Sequence, residues 1–443
     1  MPNLTYLLED TYGAHIEALT ARHAQALATA GFGALLLYSG FPAPLFEDDQ
    51  TQPFRVSPPF KAWAPLTNAP DCFIYFEAGH RPLLLFHQPT DYWYKPPAVP
   101  EGFWTRHFDL RIVPDRDTAR ALLPQDLSRT VFLGETFTEL SRWGVDAVNP
   151  RHLLNRLDYE RAVKTPYEVN CLREANRLAV LGHAAAARSF EKGASELEIE
   201  LAYLHACGQR EQELPYNPII ALNEGAAVLH YQVLARQAPR ERHSMLIDAG
   251  AEFLGYASDI TRTYSHQDAD FGRLIEQMDE LQQSLCASVR AGVDWRDIHL
   301  LAHRLVAELL HSADVIRCEA EEALDSGVSS VFLPHGIGHL LGLQVHDVGG
   351  LLQSPQGDEI PRPPGHPYLR LTRVLEPGFV VTMEPGIYFI DPLLNQARAD
   401  ARATQINWAR VEQLRKFGGI RIEDDLVVTA TGCENLTRDA FRR

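Results

Sequence analysis

The sequence predicts an α+β chain in two domains, a smaller N-terminal α/β domain over 1–160 and a larger domain over 161–443. Three observations carry this. At 443 residues the chain exceeds the roughly 100–200 residues of a typical single domain. Its texture changes near residue 160, where alternating helical and strand-like segments give way to capped amphipathic helices and then strands. In the later part, carboxylates and histidines interrupt apolar, β-prone runs, which is unusual unless those groups have partners.

In the first domain, a helical stretch over residues 11–30 precedes the strand-like run Ala34-Leu35-Leu36-Leu37-Tyr38. Further strands are predicted over 72–76, 83–86 and 130–133. Residues 46–65 and 91–104 are rich in aromatics and proline and read as local packing. The boundary falls just before Thr165-Pro166-Tyr167-Glu168, a capping box with proline at the first helical position. That helix runs to about Glu191, Gly193 stops it, and Ser195-Glu196-Leu197-Glu198 opens another. Helices over 270–291 and 295–311 follow, separated by Gly292. The strand-rich remainder contains one Pro/Gly-dense loop, 354–367, which reads equally as a mobile, lid-like segment or as inert surface.

Composition excludes several function classes. With 41 basic against 58 acidic residues the formal charge is −17, which disfavours nucleic acid and anionic membrane as partners. No apolar run approaches the ~20 residues that span a bilayer. The first residues lack a basic segment followed by an apolar core, so no signal peptide is read. Six cysteines without a C-x-x-C pair suggest reduced thiols and a cytoplasmic protein.

The stretch from Ser244 to Tyr264 holds Asp248 and Asp259 with Gly250 and Gly255 between them. A hairpin centred on Phe253 and Leu254 would set the two aspartates directly opposite, with Cβ atoms about 5 Å apart. Buried together, they would repel and lose solvation, and a divalent cation offsets both costs. Taken alone, the pair also fits a turn residue and a strand cap. His335 and His339, four apart and broken by glycines, precede His346; this is not the H-E-x-x-H zinc helix. Glu384 ends an apolar run, and Glu423 sits within a β-branched one. Four carboxylates and an imidazole form a hard, oxygen-rich set that suits manganese or another first-row dication better than a thiolate zinc site. Their charge exceeds what one dication balances, which suggests two ions and hydrolysis of an amide or ester.

The segments LIDAGAEFLGYASDITRTY, PHGIGHLLGLQVHDVGG, TMEPGIYF and GGIRIEDDLVV resemble those of the pita-bread metallopeptidases, and within them the bacterial Xaa-Pro dipeptidases (prolidases). The likeness extends over essentially the whole chain, and its motifs are shared with aminopeptidase P and partly with methionine aminopeptidase. It implies a C-terminal pita-bread (creatinase/aminopeptidase-like) catalytic domain behind a creatinase-like N-terminal domain. By the same resemblance Asp248 binds a first metal, Asp259 and Glu423 bridge both, and His339 and Glu384 complete the second. The ions would be manganese, with cobalt or zinc as alternatives. His230 and His346 match the non-ligand active-site histidines that position substrate and assist the tetrahedral intermediate. His335 is a supporting residue. Arg370 matches the position that binds the substrate carboxylate through its bidentate fork, and Arg421 is a further candidate. The resemblance implies a histidine near residue 225, and Gly225 stands there, a departure that bears on fine specificity and not on the reaction. The implied activity is cleavage of Xaa-Pro dipeptides, extended by analogy to organophosphate esters. The alternatives are an Xaa-Pro aminopeptidase acting on longer peptides and a non-catalytic peptide-binding module. The family pattern further implies a homodimer in which residues 46–49 and Tyr92-Trp93 reach into the partner.

Overall fold

A computed structural model describes residues 4–442 of the chain. It divides into two compact units, one comprising residues up to Arg161 with Thr165–Cys171 and Ser354–Asp358, the other the remainder.

The first unit contains helices α1 (Leu4–Ala30), α2 (Pro58–Trp63), α3 (Arg116–Leu122) and α4 (Arg151–Arg161), and strands β1 (Ala34–Tyr38), β2 (Phe73–Glu77), β3 (Leu83–His87), β4 (Asp109–Val113), β5 (Thr130–Leu133) and β6 (Ala147–Val148). They build a six-stranded mixed sheet of order β4-β3-β2-β1-β5-β6. β1 is buried at every position, as a continuous apolar run predicts for a central strand. It pairs antiparallel with β2 and parallel with β5. Helix α1 begins earlier than the predicted residue 11, because Leu8 and Tyr12 extend its buried face. The strands β4 and β6 and the helices α3 and α4 are not marked by periodicity. α3 reads RDTARAL and depends on Asp115, whose carboxylate accepts from Thr118 N at 2.7 Å.

Beyond these come α5 (Pro166–Glu191), which starts within the first unit, then α6 (Glu196–Cys207), α7 (Ala269–Ser288), α8 (Trp295–Ser312), α9 (Ala320–Asp325), α10 (Ser329–Phe332), α11 (Asp391–Arg398), α12 (Trp408–Leu414) and α13 (Leu436–Phe441). Both capping boxes form. Thr165 N donates to Glu168 Oε2 at 2.8 Å, and Ser195 N donates to Glu198 Oε2 at 2.8 Å. The strands are β7 (Ile219–Leu222), β8 (Ser244–Asp248), β9 (Glu252–Phe253), β10 (Tyr256–Ala257), β11 (Thr261–Ser265), β12 (Val380–Met383), β13 (Gly386–Tyr388), β14 (Gly419–Arg421), β15 (Asp424–Val428) and β16 (Cys433–Asn435). They form antiparallel ladders β11-β8-β7, β12-β15-β16, β9-β10 and β13-β14. Helices α7 and α8 share one large core with β12 and β15, built around Trp295, Phe379 and Leu426.

The register of the central hairpin differs from the expected one. Leu254 and Gly255 both have positive φ, 50° and 93°, and form a two-residue turn between Phe253 and Tyr256. The turn therefore lies one residue later than expected, and Asp248 pairs with Thr261, not Asp259. Asp259 stands two residues before Thr261, diagonal to Asp248. Gly250 does not turn the chain; a Cβ there would lie 1.9 Å from Ser258 O, so glycine permits a close backbone approach.

The Pro/Gly-dense loop is held by hydrogen bonds: Ile360 N donates to Leu351 O at 2.8 Å and Arg362 Nε to Leu369 O at 2.7 Å. Lys164 Nζ and Asp347 Oδ2 form a buried ion pair at 2.8 Å, each side chain 1% exposed, which anchors the segment carrying His346. Among the described residues no helix is long and apolar enough to cross a membrane.

Candidate metal and active centre

The ladders of the second unit meet where their strands end, and carboxylates sit at those ends. Asp248 closes β8 and Asp259 precedes β11; Glu384 follows β12, and Glu423 lies between β14 and β15. Glu423 N donates to Thr261 O at 3.0 Å, and Thr263 Oγ1 donates to Arg421 O at 3.0 Å, which ties the β8-β11 ladder to the β14-β15 segment. The segment from Pro334 to Leu340 runs beside β12: His339 N donates to Thr382 Oγ1 at 3.2 Å and Glu384 N to Ile337 O at 2.9 Å. Gly338 makes this approach possible, since a Cβ there would lie 2.2 Å from Thr382 O.

One cavity of about 720 Å³ is lined by all ten residues singled out in the sequence: Asp248, Asp259, His339, Glu384, Glu423, His230, His346, His335, Arg370 and Arg421. Asp259, His339 and Glu423 bring ligand atoms within 4.8 Å of one another. His339 Nε2 lies 3.4 Å from Asp259 Oδ2 and 3.7 Å from Glu384 Oε1, while its Nδ1 donates to Leu340 O at 3.0 Å. That backbone bond fixes the tautomer and leaves Nε2 facing the carboxylates.

The electrostatics show a site short of positive charge. Burial, with the neighbouring Asp259, Glu384 and Asp248, pushes Glu423 well above the usual carboxylate range. Burial lifts Glu384 to about 7 against the pull of His339. It also raises Asp248, although Arg421 opposes the shift. Burial opposes ionisation of Asp259 as well, but His339 outweighs it and holds that carboxyl low. For the His339 imidazole, burial is overcome by Asp259 and Glu384, and its value rises to about 9. Tyr216 Oη lies 2.8 Å from Asp248 Oδ1 and 2.6 Å from Asp259 Oδ1. A hydroxyl carries one proton and cannot donate to two carboxylates. The chemistry of this oxygen-rich set with one imidazole fits hard or borderline divalent cations.

Other residues hold these carboxylates in place. The Arg421 guanidinium is buried, and its donors go to Asp248 Oδ2 at 2.7 Å, Tyr388 Oη at 2.9 Å and Thr261 Oγ1 at 3.1 Å. Thr261 Oγ1 in turn donates to Glu423 Oε2 at 2.7 Å. Instead of offering a free fork to the cavity, Arg421 is the counter-ion of Asp248. His335 Nδ1 donates to Gly336 O at 2.8 Å, so its Nε2 accepts from Tyr388 Oη at 2.8 Å. Behind Glu423, the buried Asp424 accepts from Arg262 at 2.6 Å and Arg438 at 2.7 Å. Tyr216 and Tyr388 were missed by sequence reasoning. Tyr216 sits in an undistinguished Pro-Tyr-Asn-Pro loop, whereas Tyr388 lies within the TMEPGIYF segment, one residue before its end.

His346 packs edge-on against His339, with ring centroids 4.4 Å apart at 88°. Burial, then His339 and Arg370, push its imidazole down to about 3. His230 and Arg370 are exposed on the cavity wall.

Comparison with known proteins decides the family. Residues 10–159 match the Xaa-Pro dipeptidase N-terminal domain, and residues 170–430 match metallopeptidase family M24. The chain belongs to metallopeptidase family M24. It is 50% identical over 431 residues to an Xaa-Pro dipeptidase of Stenotrophomonas maltophilia (strain K279a), covering 97% of both chains. An Xaa-Pro dipeptidase of Shewanella sp. (strain W3-18-1) is 46% identical over 428 residues, 97% of each. Aminopeptidase P from E. coli with the inhibitor Pro-Leu superposes with a TM-score of 0.71 at 23% identity, covering 95% of this chain and 94% of that one. Proline aminopeptidase P II from Yersinia pestis has a TM-score of 0.71 at 23% identity, covering 98% and 96%. The fold is accordingly a C-terminal M24 pita-bread domain with a creatinase-like N-terminal domain.

Proposed function

We propose that this M24 chain is a metal-dependent hydrolase of Xaa-Pro dipeptides. Asp248, Asp259, His339, Glu384 and Glu423 would hold two divalent ions, manganese foremost. The observation that carries the reading is the juxtaposition, in one cavity, of this charge-deficient donor set and an exposed arginine. It is supported by 50% identity over 97% of the chain to an Xaa-Pro dipeptidase. When bound, the ions supply the positive charge that activates water and polarises the scissile carbonyl.

The chain's own groups do the rest. Arg370 takes the free carboxylate of the C-terminal proline and fixes the length of the substrate. His230 at the cavity wall orients the peptide. His346, whose imidazole is kept neutral, faces the developing oxyanion and the leaving nitrogen. Arg421 and Tyr216 hold the aspartates in orientation, and His335 and Tyr388 hold Arg421. An organophosphate triester, tetrahedral like the intermediate, would use the same centre; absence of 4-nitrophenol release from paraoxon would remove that extension.

The N-terminal unit, 1–160 with the catalytic domain over 161–443, serves dimerisation and access to the site. Phe46, Tyr92 and Trp93 support this, being 90%, 87% and 77% exposed, since aromatic side chains are enriched at protein interfaces. Free cysteines throughout support a cytoplasmic location, which fractionation of cells would check.

Replacing Asp259 by Asn should reduce bound manganese and abolish turnover; a variant with full metal content and activity contradicts the ligand assignment. Arg370→Ala loses a charged hydrogen bond worth about 1.5–3 kcal/mol, so KM for Gly-Pro should rise roughly 10- to 100-fold. The same variant should act on the dipeptide amide as the wild type does, and equal losses on both substrates would refute carboxylate binding. Sedimentation should give a dimer that Phe46→Ser with Trp93→Ser weakens, while a wild-type monomer at micromolar concentration removes the interface.

A further inference from the structure

Among the described residues, one further cluster of side chains able to hold a metal lies outside the carboxylate centre. His299 and His303 lie one turn apart on α8, a spacing that places both on one helix face. His366, from the Pro-rich loop, packs against both. The ring centroids are 4.7 Å apart for His299 and His303, and 4.5 Å from each to His366. One nitrogen from each of the three lies within 4.8 Å of the others.

Buried polar groups nearly always have hydrogen-bond partners, and these do not. His299 is 1% exposed with no partner at Nδ1 or Nε2, and His303 is 1% exposed with none at Nε2. His303 Nδ1 lies 3.1 Å from Ser329 Oγ. With Nδ1–H donating to that hydroxyl, the Nε2 lone pair is presented to the cluster, which is how metal-ligating histidines are commonly held. Burial drives His299 to about 2 and His303 to about 3, and lowers His366. The rings are therefore neutral at physiological pH, and a cation need displace no proton to reach their lone pairs.

We propose that His299, His303 and His366 form a separate site for a single borderline divalent ion of the zinc class. Three imidazoles without a carboxylate favour zinc over manganese, the reverse of the oxygen-rich centre. A fourth position would open to a neighbouring cavity of about 200 Å³, lined in part by His299, His366 and Tyr368, which has room for water. The ion would join α8 to the loop that continues through Tyr368 to Arg370. Its role is to fix that loop, and it supplies no group to the reaction.

The test uses the full-length protein, equilibrated with excess zinc sulfate, desalted, and assayed for metal per chain and melting temperature. Wild type should retain one zinc equivalent more than His366→Phe or His366→Ala, and added zinc should raise its melting temperature further. His366 is half-buried in a loop, and phenylalanine preserves the ring packing. The extra equivalent should persist in Asp259→Asn, which separates this site from the carboxylate centre. Equal metal content and equal thermal shifts in wild type and both His366 variants would show three packed neutral imidazoles only and overturn the proposal.

Discussion

The structure of the second unit depends on one electrostatic constraint: several carboxylates are held together, out of water, with too little positive charge beside them. Asp248, Asp259, Glu384 and Glu423 line one cavity with His339, and burial opposes the ionisation of each of them. Isolated buried charges cost several kcal/mol each even after relaxation. A fold accommodates such a cluster only if cations occupy it or fixed groups hold the geometry until they do. Here the fixed groups are visible. Arg421 is committed to Asp248, and Arg262 and Arg438 to the buried Asp424 beside Glu423. The two glycines at 250 and 338 let backbones approach closely enough for strands from separate ladders to deliver their terminal side chains to one point.

Much of this was legible in the sequence, because a carboxylate or imidazole in an apolar β run contradicts its neighbours. That contradiction marked Asp248, Glu384 and Glu423. The glycine-broken histidine segment marked His335 and His339. The capping boxes at Thr165 and Ser195 placed two helix starts, since their chemistry is local. What depended on tertiary context was not legible. The turn at Leu254-Gly255 lies one residue from the expected centre because Leu254 takes a positive φ, which its identity does not announce. That shift makes Thr261, not Asp259, the partner of Asp248. Tyr216 and the commitment of Arg421 to Asp248 are contacts between distant segments, and no spacing rule foretells them. The pair His299 and His303 has helical spacing but gains a third partner only through the loop at His366.

Two donor chemistries thus share one domain. The hairpin and strand ends supply oxygen with one imidazole, which suits hard cations. Helix α8 with its adjacent loop supplies nitrogen only, which suits borderline ones.

In the proposed function a manganese-loaded carboxylate centre and Arg370 together select dipeptides ending in proline. The most direct measurement compares hydrolysis of Gly-Pro and Gly-Pro-Ala by metal-stripped protein with and without added manganese. Manganese-dependent cleavage of Gly-Pro, with Gly-Pro-Ala untouched, is the predicted result. Cleavage of the tripeptide at a comparable rate would contradict the dipeptide reading and favour an aminopeptidase, and cleavage of neither by metal-loaded protein would contradict hydrolysis altogether.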